Sequence, residues 1–170
     1  MAFTCTTRYD CKAMTALVRA RRKTVRRKQS RRAHLLGWLA AAVGISQLLP
    51  PPALWKTVLI VCALALVLGA LLFEDRLNGF AAARQVSPRG AVATAHFPAD
   101  SAVYRLELPN ERSAFRYDDI LTLAETPDYF VFLTGESHGQ VYDKHTLTGG
   151  TADEFRAFLQ SSTGLSVQPV

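Results

Sequence analysis

The run from Leu35 to Phe73, LLGWLAAAVGISQLLPPPALWKTVLIVCALALVLGALLF, holds one charge, Lys56, and breaks at Pro50-Pro51-Pro52. A segment so long and so apolar must satisfy its backbone groups internally wherever it is buried, which selects helices over loops. The prolines cannot continue a helix, so two helices joined by a proline turn are expected, over residues 34–73. Leu54 to Phe73 supplies 20 residues, enough at about 1.5 Å each to cross a hydrocarbon core of about 30 Å. Trp55 and Lys56 stand at its start, where an indole ring anchors at the headgroups and a lysine stem snorkels to them. Leu35 to Leu49 is shorter, and it reads as a second span when extended back through Ala33 and His34 or when the bilayer thins around it. A soluble helical hairpin would need polar faces, and neither helix has one. A cleaved signal peptide would not carry thirty-odd residues of preamble and a second span directly behind it.

The charge is distributed unevenly around this hairpin. Residues 1–33 carry eleven Lys or Arg against Asp10 alone, a net of +10, whereas the remaining residues carry nine basic and thirteen acidic groups, a net of −4. Nine of the cations fall in one cluster: Arg19, Arg21, Arg22, Lys23, Arg26, Arg27, Lys28, Arg31 and Arg32. Basic residues flanking a first span hold that flank in the cytoplasm, and two spans return the C-terminal part to the same side. The expectation is a cytoplasmic (inner) membrane protein with both ends cytoplasmic. The cluster is read as a topology determinant that also touches anionic lipid, each residue contributing about 1 kcal/mol near the surface. Nucleic acid is not expected, because no aromatic residue interleaves with the cations between Arg19 and Arg32 to stack on bases.

Before the hairpin, Phe3, Cys5 and Thr7 alternate in a short candidate strand, and Met14, Leu17, Val18 and Val25 recur at helical spacing. A basic amphipathic helix from Lys12 to about Arg32 follows. Its stripe serves equally for the membrane surface or for packing on the C-terminal domain. After the hairpin, residues 74–90 read as a linker, with Leu77–Val86 helical and Ser87-Pro88-Arg89-Gly90 as turn chemistry.

Strand signals dominate residues 91–163: Ala91–Phe97, Ala102–Leu108, Phe115–Leu123 with a slip at Asp118-Asp119, Tyr129–Thr134 and Gln140–Leu147. Thr151-Ala152-Asp153-Glu154 is a capping box opening a helix to about Ser162, with Phe155, Phe158 and Leu159 on one face and Gly164 as its stop. Residues 164–170 are a tail. The fold class is α+β: a transmembrane hairpin, then a small antiparallel, barrel-like β domain closed by a C-terminal helix.

Catalytic chemistry is sparse. There is no P-loop, GxGxxG, HExxH or GxSxG. Asp143 and His145, near His138, are the one grouping that resembles an acid–base or metal site, and exposed polar strand positions account for them as well. Asp118 and Asp119 are adjacent and so point to opposite faces of a strand. Cys5, Cys11 and Cys62 have no metal spacing. No catalytic residue, cofactor or metal is expected. The aromatic residues of 115–158 read as core.

The run FRYDDILTLAETPDYFVFLTGESHGQVYDKHTLTGGTADEFRAFLQ resembles the YcxB-like domain of bacterial membrane proteins. The correspondence lies in Tyr117 to Ile120, in Glu125 to Tyr129 as an E-T-x-D-Y turn, and in Asp153-Glu154-Phe155 opening the last helix. It departs at Tyr142-Asp143-Lys144, where the family pattern has proline before the lysine. The resemblance implies two spans and a domain similar to a pleckstrin-homology barrel, and it brings no catalytic residues. The function expected is therefore non-enzymatic: a cytoplasmic domain that binds a protein or peptide partner. The alternative is a membrane-anchored sensor that takes a lipid or small molecule into an aromatic-lined pocket. Residues 90–170 carry five basic and eleven acidic groups, which disfavours phosphoinositide capture by the domain itself.

Overall fold

The computed structural model describes residues 2–47, 53–85, 90–109 and 111–170. The proline turn expected at residues 50–52 and most of the turn at residues 87–90 lie outside them. In chain order the elements are β1 (Ala2–Arg8), α1 (Cys11–Lys23), α2 (Arg27–Ser46), α3 (Leu54–Leu72), α4 (Glu74–Gln85), β2 (Val92–Pro98), β3 (Val103–Leu108), β4 (Glu111–Arg116), β5 (Thr122–Glu125), β6 (Tyr129–Leu133), β7 (Gly139–Asp143), α5 (Ala152–Thr163) and β8 (Val167–Pro169). The class is α+β, with two four-stranded sheets ordered β1-β2-β3-β4 and β7-β6-β5-β8.

Strand β6 explains the layering. Its sequence YFVFL is apolar throughout, as a strand covered on both faces must be. Phe130 and Phe132 point into the space between the sheets, where they meet Phe97, Tyr104, Tyr142 and Phe155. Val131 and Leu133 point the other way and pack with Ala13, Leu17 and Ala20 of α1. The apolar stripe of α1 therefore covers the outer face of the second sheet. That face is capped by a helix 110 or so residues earlier in sequence, a long-range arrangement that costs loop entropy but little else.

The N-terminal strand belongs to the same body. β1 pairs antiparallel with β2 along its whole length, Ala2 opposite Pro98 and Arg8 opposite Val92, so Phe3, Cys5 and Thr7 face inward beside Ala93, Ala95 and Phe97. The free edge of β1 then abuts β7 and the segment after it. Thr4 and Thr148 exchange backbone hydrogen bonds, and the Asp143 amide donates to Thr7 Oγ1 at 2.9 Å. This seam joins the two sheets along one side. Helix α5 lays Phe155 and Leu159 into the core. It begins at the expected capping box, with Glu154 N donating to Thr151 Oγ1 at 3.2 Å and Thr151 N donating to Glu154 Oε2 at 2.7 Å. It ends at Gly164 with φ +68°, a left-handed turn that glycine adopts without Cβ strain.

Several expectations need correction. The basic helix does not run on to Arg32. It stops at Lys23, because Thr24 turns its hydroxyl onto the Ala20 carbonyl and Arg26 N reaches back to Arg21 O, and a new helix starts at Arg27. The slip at Asp118-Asp119 is a full strand break: a single 3₁₀ turn at Tyr117–Asp119 passes the chain from the first sheet to the second. β7 ends at Asp143, where Asp143 Oδ1 accepts from His145 N and opens another 3₁₀ turn. The tail contains β8, which pairs parallel to β5, so the sheets are not wholly antiparallel. The segment read as a linker is largely α4, a helix packed against α1.

Candidate membrane-facing surface

Helices α2 and α3 are antiparallel, since Gly37 faces Leu71 and Gly44 faces Leu64. A Cβ on Gly37 would come within 2.8 Å of the Leu71 side chain, and one on Gly44 within 2.9 Å of Leu64. With Ala41, the one buried residue of α2, these form a stripe at i, i+4 and i+7. Small residues so spaced let two helices approach closely where there is no hydrophobic drive to bring them together. The outward surfaces are apolar and uncovered: Leu54 is 86% exposed, Leu66 75% and Leu72 74%, with Leu36, Trp38, Val43 and Ile45 likewise exposed on α2. An exposed apolar surface of this extent marks an interaction face, for a membrane or for another protein. Among the described residues one helix, α3, is long and apolar enough to cross a membrane. Its 19 residues reach about 28 Å. Gly69 has nothing within 4 Å of where a Cβ would sit, so it lies on the outward face. Trp55 and Lys56 sit exposed at the start of α3, with the ammonium 5.6 Å from the indole centroid.

The nine clustered cations divide into two groups. Arg19, Arg21 and Arg22 are tied inward. Arg22 makes a two-pronged pair with Asp75 of α4, both contacts at 2.7 Å, and Arg19 lies 3.6 Å from the same carboxylate. That pairing raises the Arg22 pKa. Arg21 donates twice to the Glu136 carbonyl in the β6–β7 turn, and partial burial lowers its pKa. Lys23, Arg26, Arg27, Lys28, Arg31 and Arg32 are exposed. They form a cationic collar around the elbow between α1 and α2, at the end of the hairpin where α3 also terminates. His34 Nε2 lies 2.8 Å from Glu74 Oε2 and joins α2 to the start of α4 at that end.

Behind the collar, α4 is held against α1 at Gly79. A Cβ there would fall 2.3 Å from Thr15 Oγ1 and 2.7 Å from Thr15 Cα. This contact and the Arg22–Asp75 pair fix the exit of the hairpin onto the helix that covers the second sheet. Sequence reasoning missed both. The Gly37-Ala41-Gly44 spacing could have been found by looking for small residues at helical intervals, but nothing in the sequence marks Gly79 as a contact.

The remaining candidates are structural. Asp143 caps a turn through its side chain, and His145 is exposed with Nε2 3.3 Å from Asp128 Oδ1. His138 is exposed, and His96 Nδ1 sits 3.2 Å from Thr4 Oγ1. Asp118 pairs with Arg116 at 2.9 Å on the surface. No group of three His, Cys, Asp or Glu among the described residues could hold a metal. Cys5 is buried beneath Thr7 and Thr146, and burial pushes its thiol up, away from the reactive thiolate. The interior is filled by aromatic rings in mutual contact: Phe132 and Tyr142 at 4.6 Å, Phe97 and Phe155 at 4.9 Å, Tyr104 and Tyr117 at 5.3 Å. Gln140 Oε1 accepts from both Tyr104 and Tyr142.

No curated protein matches the chain, and no solved structure does. The model of the family described as YcxB-like protein matches residues 104–159, which run from β3 to the last turn but one of α5 and leave out β1, β2 and all four helices around the hairpin. Over that stretch, about a third of its length, the chain carries a YcxB-like domain.

Proposed function

We propose that this chain is a two-span protein of the bacterial cytoplasmic membrane, with both ends cytoplasmic, whose β domain docks a protein or peptide partner and performs no reaction of its own. The observation that carries the reading is the hairpin itself. Its helices pack through Gly37, Ala41 and Gly44 and present apolar side chains outward, and a collar of exposed cations rings the end from which the chain enters and leaves. The apolar part of α2, Leu35–Ile45, is about 17 Å long. For it to accompany α3, Arg31 and Arg32 sit at headgroup level with their stems snorkelling and the bilayer thins locally. The shared end of α2 and α3, closed by His34 and Glu74, supports placing β1 and β2 on the same side.

Two sheets meeting along one seam, with a C-terminal helix filling the interior, are the features that support a pleckstrin-homology-like reading. Such barrels serve as docking platforms, and the step from fold to docking is analogy. The packed aromatic interior weighs against the alternative of a lipid or small molecule held inside the barrel. The test is copurification of the tagged full chain after crosslinking and gentle detergent extraction. A stoichiometric protein partner is expected; recovery of lipid or a small molecule alone would overturn the docking reading.

A further inference from the structure

We propose that the groove on either side of Phe80 is the docking surface, and that its occupant is an acidic peptide segment carrying one apolar or aromatic anchor. The inference rests on the partner-binding reading above and names where and what that partner is. Phe80 stands on the outer face of α4, 47% exposed, between Arg76 and Arg84 one turn away on either side. The Arg84 guanidinium carbon lies 4.2 Å from the Phe80 ring centroid. A cavity of about 660 Å³ opens on one flank, lined by Lys12, Thr15, Arg19, Arg76, Pro127 and Tyr129 among others. One of about 400 Å³ opens on the other, lined by Arg8, Tyr9, Ala83, Arg84 and Gly90 among others. Phe80 and Cys11 border both, so the two make one groove between α4 and the start of α1.

Like the collar, this groove carries cations without carboxylate partners, and here they surround an exposed aromatic ring. Arg8, Lys12, Arg76 and Arg84 have no carboxylate within 4.0 Å among the described residues, whereas Arg22, Arg112, Arg116 and Arg156 are all paired. Its walls also hold two carboxylates, Asp10, which accepts the Ala13 amide as the cap of α1, and Asp128, which meets His145, so five cations, Arg19 included, face two acids. Four unpaired cations around an exposed ring complement a segment with several carboxylates and one apolar side chain. Arg76 to Arg84 is eight residues of helix, about 12 Å, a length that several residues of an extended peptide would cover.

The test uses the full chain in phosphatidylcholine nanodiscs and three fluorescein-labelled peptides of about 12 residues. One is rich in Asp and Glu with a central Trp, one has Ala for that Trp, and one has Lys for the acidic residues. The first is expected to bind at about 10–100 µM by anisotropy and the others far more weakly. Arg76→Glu combined with Arg84→Glu, and separately Phe80→Ala, should each weaken it by about tenfold or more. Arg112→Glu, on the exposed surface of β4, should leave it unchanged. A fluorophore on Cys11 in a Cys62→Ser background reads occupancy in a groove whose own residues are otherwise intact, so an emission shift with the first peptide supports the site without any groove substitution. Equal binding of the two acidic peptides, no effect of Phe80→Ala, or displacement by phosphatidylglycerol in the nanodisc would overturn the proposal. A partner that copurifies undiminished with the Arg76→Glu/Arg84→Glu variant would overturn this groove while leaving the docking function standing.

Discussion

Replacing Gly79 by alanine tests how the α2–α3 hairpin is fastened to the β domain. The added methyl would sit 2.3 Å from Thr15 Oγ1 and 2.7–2.8 Å from the Thr15 Cα and N. The hydroxyl could rotate away, but the backbone of α1 cannot, so α4 must move. Overpacking of this kind costs about 1–3 kcal/mol. Against it stands the helix-propensity gain of Gly→Ala, about 1 kcal/mol. The net is a loss of up to about 2 kcal/mol, which for a chain of this size lowers the unfolding midpoint by up to about 8 °C. The same change at Gly69, where no atom lies within 4 Å, carries the propensity gain without the clash and should be neutral or slightly stabilising. The assay is thermal unfolding of the detergent-solubilised chain by near-ultraviolet circular dichroism, which follows the buried tyrosines Tyr104, Tyr117 and Tyr142. If Gly79→Ala matched or exceeded the stability of Gly69→Ala, α1 and α4 would not be packed at this distance, and the attachment described here would be wrong.

Three further outcomes follow from the β domain. Tyr117 is 3% exposed and its hydroxyl has no hydrogen-bond partner among the described residues; an unsatisfied buried hydroxyl costs about 1–3 kcal/mol, so Tyr117→Phe should raise the unfolding midpoint, and a fall would show that the hydroxyl is bonded. Glu125 accepts from Arg156 through both carboxylate oxygens and from Lys144, and the Arg156 hydrogen bonds, reinforced by Lys144, hold its pKa below the usual value. Because the folded value is lowered, this contribution is present above the unfolded glutamate pKa of about 4.3 and is lost as the pH falls through the folded value. Glu125→Gln should lose about 2–3 kcal/mol at neutral pH and show a flatter acid limb in pH-dependent unfolding than the parent. Thr151→Ala removes the N-cap of α5 and should cost about 1 kcal/mol in urea unfolding.

What the sequence made legible was local. The YFVFL run of β6, the Thr151–Glu154 capping box and the Gly164 stop each depend on neighbours a few residues away. The tertiary pairings do not. β1 meets β2 across the entire hairpin, and no local pattern in AFTCTTR names its partner. The α1–α2 elbow was hidden because arginine and lysine favour helix on both sides of Thr24-Val25; the clue was the end of the apolar period at Val25. β8 was too short, at three residues, to alternate detectably. The basic cluster was visible as composition, but its division into inward ties and an exposed collar depends on Asp75 and the Glu136 carbonyl, which lie far away in sequence. The Phe80 groove draws its cations from residues 8, 12, 76 and 84, so no motif could announce it.

The orientation of the hairpin is the claim on which the rest depends. Single cysteines at Gln47→Cys, Ala53→Cys, Lys28→Cys and Val170→Cys, in a background with Cys5, Cys11 and Cys62 replaced by serine, can be challenged in intact cells with a membrane-impermeant thiol reagent. Labelling at positions 47 and 53, with positions 28 and 170 protected until the cells are opened, is the predicted result. Labelling of position 170 from outside, or protection of both 47 and 53 until lysis, would contradict a two-span hairpin with a cytoplasmic β domain.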